Sequence, residues 1–139
     1  MNLAVQTDLN GQIIGFVQAN GNSIVCCIPV DAEVFGSLAN DANAGASYYY
    51  DFTQKSLLAR PANPTTLDKT TLTANGVDAI QLSHAPANST LTALNLTSGN
   101  QISGSISGAD SFTSTMKGQI KLTVSCWPYL DFVQTITAS

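Results

Sequence analysis

The stretch Gly118–Ser139, GQIKLTVSCWPYLDFVQTITAS, decides how this chain is read. Ile120, Leu122, Val124 and Cys126 alternate with polar residues, the period of a strand that buries one face and wets the other. Trp127-Pro128-Tyr129 then breaks the pattern, and Phe132 and Ile136 resume it. This predicts a strand, an aromatic-proline corner and a second strand running back beside the first. Lys121 and the threonines are expected to face out. A segment of this kind completes a sheet and carries no catalytic group.

Upstream, the same signature recurs. Leu72, then Ile80 and Leu82, then Leu91 to Leu96, Ile102 and Ile106, and Phe112 and Met116 each mark a short strand, with HAPANS (84–89) reading as a break. With the closing pair, that makes about seven short strands, separated by turn residues at roughly the spacing of a small β-sandwich. The first half alternates too. Leu3–Gln6 and Ile13–Val17 flank Asn10-Gly11, a strong hairpin signal. Ser23–Ile28 is a continuous apolar run ended by Pro29. Asp31 is a fitting N-cap for one short helix over AEVFGSLAN, and Tyr48-Tyr49-Tyr50 opens a further strand. PANP (61–64) forbids regular hydrogen bonding at two positions and is expected to form a hinge. The expected class is mostly all-β. Residues 1–60 form a β-rich assembly or attachment region, either a separate fold or added strands, and residues 65–139 form the sandwich.

Composition narrows the function. Of 139 residues, 44% are apolar and only 10% charged, against about a quarter in ordinary domains. The five basic residues, Lys55, Arg60, Lys69, Lys117 and Lys121, form no stripe, and the net charge is −4. Nucleic acid is therefore not an expected partner. No apolar run reaches the roughly 20 residues of a membrane helix, so membrane insertion is not expected. The opening MNLAVQTDLNG has no basic segment and is not read as a signal peptide. Cys26 and Cys27 are adjacent, with side chains on opposite strand faces. With Cys126 they make an odd number, read as reduced thiols, although one bridge stays open.

Reactive constellations are sparse. His84 is the only histidine, which leaves little room for a triad or a zinc site; it reads as an exposed loop side chain. Asp78, in ANGVD, is expected to close its own turn by accepting backbone N–H groups. GNQISGSISGAD (99–110) has glycines but neither a lysine nor a following helix, so it is no phosphate cradle. No catalytic residue, cofactor or metal is expected. Two aromatic groups stand out as candidate interface: Tyr48, Tyr49 and Tyr50, and Trp127 with Tyr129. Consecutive strand residues alternate faces, so at least one tyrosine is expected to face away from the core. Such side chains stack on sugars or anchor a protein partner, or else plug a doubly buried strand and the end of a sandwich.

From Arg60 to Ala138 the order of residues resembles the carboxy-terminal part of small virion proteins encoded among the tail genes of tailed bacteriophages. RPANPTTLDKTTLTANGVDAIQLSHAP and GQIKLTVSCWPYLDFVQTITA carry the likeness. Lys69 through Asp78 correspond to the opening and Pro128 through Leu130 to the late corner. Leu91 to Met116 depart from the pattern and lack its proline-glycine turn. The resemblance implies an immunoglobulin-like domain. It also implies a non-enzymatic adaptor near the tail fibres or baseplate, present in several copies and contacting other tail or capsid subunits, in a virion assembled in the host cytoplasm. A capsid decoration protein and a carbohydrate-binding module for host glycans are the alternatives.

Overall fold

A computed structural model describes residues 2–19, 28–29 and 47–139. The expected helix after Asp31, Cys26, Cys27 and most of the 23–28 run lie outside these residues. What is described is almost entirely β. Contacts divide the chain into two units, Met1–Arg60 and Pro61–Ser139.

In the first unit β1 (Asn2–Thr7) and β2 (Ile13–Ala19) pair antiparallel, with the register slipping between Gln6 and Thr7. The Asn-Gly signal sits in the connecting turn, but Asp8 closes it. Its Oδ1 accepts the N–H groups of Asn10 and Gln12, and its carbonyl accepts that of Gly11. On the other side of β1 lies β3 (Ile28–Pro29). Pro29, expected to stop the strand, is its last paired residue, opposite Ala4; an edge position tolerates the missing N–H. β4 (Tyr48–Asp51) and β5 (Ser56–Ala59) form a second hairpin. Gln12 bridges to Tyr49, and Gly11 accepts the Tyr50 N–H at 2.8 Å, which ties the two hairpins together.

The second unit is one six-stranded sheet of β6 (Thr66–Leu67), β7 (Thr71–Leu72), β8 (Ala79–Asn95), β9 (Gln101–Thr113), β10 (Gly118–Ser125) and β11 (Phe132–Ala138). The alternation read in the closing segment is present. Ile120, Leu122 and Val124 are buried on β10, which pairs with β11 through Lys121↔Thr135 and Leu122↔Gln134. Cys126 lies just past the strand end and is half-buried.

The middle differs from expectation. HAPANS does not break the chain into two strands; β8 runs through it for 17 residues. The strand is bent there instead. Its register against β9 shifts between Leu82 and Ala85 and again before Ser89, and His84 and Asn88 take left-handed backbone angles, φ +61° and +62°. Extra residues on one strand of a ladder kink it and steepen its twist. The first arm of β8 pairs with β6, the second with β10, and β9 follows both arms. Ile80 and Leu82 from one arm join Ala93 from the other, with Leu122, Val124 and Ile136, in one core. The sheet thus curls over itself to bury its apolar face. Phe112 likewise belongs to β9, while Met116 lies in the following turn and is exposed.

Residues of the PANP segment are fastened to the second unit. The Pro61 carbonyl accepts the Leu130 N–H, and the Asn63 amide donates to the Val124 carbonyl.

Candidate functional site

The candidate aromatic residues fall in both units. Tyr48, Tyr49 and Tyr50 occupy β4, and each is half-buried, so none of the three points wholly into solvent or wholly into a core. Asp51 Oδ1 accepts the N–H groups of Thr53 and Gln54, turning the chain so that Phe52 meets the Tyr50 ring edge-on, centroids 5.1 Å apart. Offset and edge-on ring pairs are the favoured arrangements.

In the second unit Trp127 and Tyr129 share the corner between β10 and β11, where the Trp127–Pro128 peptide is cis. Trp127 is 36% exposed and Tyr129 half-buried. Leu130 and Val133 are exposed immediately beyond the corner. The Cys126 thiol reaches back to the Ala87 carbonyl at 3.4 Å, beside the bend of β8.

Polar groups singled out in the sequence are engaged in holding turns. Asp78 Oδ2 accepts the Thr73 N–H at 2.7 Å and its Oδ1 pairs with Lys69 Nζ at 2.5 Å. The Lys69 ammonium and the Thr73 N–H hold its carboxyl below the ordinary aspartate value. Asn75 Oδ1 accepts from Val77 and Asp78, so within ANGVD it is Asn75 that closes the turn, while Asp78 accepts from Thr73 just before it. His84 stands at the bend of β8, its ring exposed, with Nδ1 3.3 Å from Thr66 Oγ1. It belongs to a bulged strand where a loop was expected. Among the described residues no group of three or more His, Cys, Asp or Glu is placed to hold a metal ion. No described helix is long and apolar enough to cross a membrane.

One feature escaped the sequence reading. β9 pairs with β8 alone, so among the described residues its other edge has no strand partner. Of its thirteen residues only Ile106 and Phe112 are buried. Ile102 lies on the same face as Ile106 yet is 67% exposed. It lines a cleft of about 180 Å³ with Ala93, Phe112, Met116 and Ile120. A second hollow, of about 330 Å³, runs along β9 past Gly104. The signal was present in QISGSIS (101–107), which has neither charge nor proline. Ile102 and Ile106 mark the strand in sequence, but its alternation does not say that one edge is left open.

No family model, curated protein or solved structure matches this chain.

Proposed function

We propose that this protein is a non-enzymatic structural subunit of a bacteriophage virion, a tail component near the fibres or baseplate that acts through protein–protein contacts in several copies. The resemblance of Arg60–Ala138 to tail-gene products supports the class of particle, and with it an immunoglobulin-like assignment of the second unit. The observation that carries the contact role is β9, a long strand that among the described residues is paired on one side and is exposed at all but two positions. Unpaired N–H and C=O groups along a strand edge are a template for another strand. Polar, uncharged faces are inexpensive to dehydrate when each group finds a hydrogen bond, which suits lasting assembly. Mass spectrometry of purified particles tests this reading. The chain is expected among the particle proteins, and its absence overturns the proposal. Copy number then separates a tail component from a capsid decoration protein, which would be present at many more copies.

Host-glycan binding is the second reading, favoured by the partial exposure of Trp127 at its corner. Aromatic faces stack on sugar rings. Retention on a glycan array that is lost in Trp127→Ala and Tyr49→Ala, with the fold intact, supports it; no retention of the unaltered chain removes it.

A further inference from the structure

We infer that the β9 edge binds a second copy of this chain, antiparallel and two-fold symmetric about Gly104. The inference does not depend on the virion reading, since it concerns the isolated protein.

Soluble proteins guard long strand edges with lysine, proline, bulges or extreme shortness. β6 and β7, two residues each, are guarded by shortness. Gln101–Ser107 carries none of these devices. It has no charge, no proline and no left-handed residue; the first left-handed angle on β9 is at Gly108, φ +67°. Asp110, the one charge on β9, lies beyond that kink.

The occupant is argued from the order of residues. Ile102-Ser103-Gly104-Ser105-Ile106 reads the same in both directions. Set antiparallel on its own copy about Gly104, Ser103 faces the other copy's Ser105, and Ile102 faces the other copy's Ile106. Facing residues in such a pair lie on one side of the sheet. The apolar residue left 67% exposed beside the core thereby gains cover from its counterpart, and hydroxyl faces hydroxyl on the outer side. No like charges are opposed. Nothing lies within 4 Å of the position a Cβ would take on Gly104, so the face of the sheet is uncovered at the centre of the pair. Such an interface is isologous and closes on itself. Seven residues a side make a small contact, so the dissociation constant is expected on the order of 10 μM.

Sedimentation of the full chain at about 100 μM, well above that constant, provides the test. The unaltered chain is expected as a dimer. Ser103→Lys/Ser105→Lys, which opposes like charges twice, is expected to weaken it at least about tenfold. Mixing that variant with Ser103→Glu/Ser105→Glu is expected to restore a dimer, which also shows that both variants are folded. Gly104→Cys is expected to yield a covalent dimer on oxidation, because antiparallel partners bring Cα atoms within disulfide reach; Ser111→Cys is not. A monomeric unaltered chain, a dimer indifferent to the lysine pair, or cross-linking equal at positions 104 and 111 each overturns the inference.

Discussion

Gly11 and Tyr50 touch backbone to backbone: the Gly11 carbonyl accepts the Tyr50 N–H at 2.8 Å, and a Cβ on Gly11 would stand 1.9 Å from the Tyr50 carbonyl oxygen. Gly11 also has φ +85°, a region that L side chains avoid. Both constraints act on one residue, and the contact joins the first hairpin to the strand bearing the tyrosine triplet. Gly11→Ala is expected to destabilise this junction by about 2–4 kcal/mol. Amide hydrogen exchange reads it directly, through at least about tenfold loss of protection at Tyr50. Unchanged protection would refute the close approach.

Asn95 is 5% exposed and makes three side-chain hydrogen bonds. Its Oδ1 accepts the N–H groups of Thr97 and Ser98, and its Nδ2 donates to the Lys117 carbonyl. One side chain therefore closes the β8–β9 turn and secures the approach to β10. Gly118 leaves room for it, since a Cβ there would come 2.6 Å from Thr97 Oγ1. Asn95→Ala removes all three of these bonds and empties the space of a buried side chain, and is expected to cost about 2–3 kcal/mol in urea unfolding. A loss below about 0.5 kcal/mol, typical of a surface site, contradicts the assignment.

The Lys69–Asp78 pair predicts an acid-sensitive contribution to stability. Asp78 titrates lower in the folded protein than in the unfolded chain. The unfolded chain thus binds the proton more readily. The contribution is complete above the ordinary aspartate range and is lost as pH falls through the folded value. The difference in Tm between the unaltered protein and Asp78→Asn is expected to be largest near neutrality and to narrow as pH falls towards about 3. Both groups are half-exposed, so added salt should also narrow it. A gap that widens in acid contradicts this account.

Leu122 is fully buried at the centre of β10, while Val77 is 82% exposed in its turn. Leu122→Ala leaves a cavity and is expected to cost about 3 kcal/mol, whereas Val77→Ala is expected to stay within about 0.5 kcal/mol. Chemical denaturation of the two variants side by side tests whether the core is where the fold puts it. Equal effects would refute it.

Much of the fold was legible where the determinants are local. The alternation of Ile120, Leu122 and Val124 marks β10, Asn75 and Asp78 mark their turn, and Asn10-Gly11 marks the first hairpin. The course of β8 was not legible. His84, Pro86 and Asn88 carry the chemistry of a turn, and His84 and Asn88 do adopt left-handed angles. Ladder bonds to β9 and burial of Ala85 and Ser89 nevertheless keep the strand going. Ser89 secures the bend locally, its hydroxyl donating to the Pro86 carbonyl at 2.6 Å. The parallel pairing of β7 with β11 joins residues 71 and 137, a match no local pattern announces. The candidate aromatics were legible as residues but not as a place, because exposure is decided by packing. The β9 edge, open among the described residues, was hidden for the converse reason: a segment looks inert in sequence when what matters is the neighbour it lacks.

The bend in β8 has a mechanical consequence. One uninterrupted strand serves both arms of the curled sheet, and Ile80 and Leu82 meet Ala93 in the same core. Neither arm can peel away while the other stays intact, because the shared backbone and the shared interior fail together. The second unit is therefore built to melt in a single all-or-none step, as a folded page tears and does not come apart along a seam.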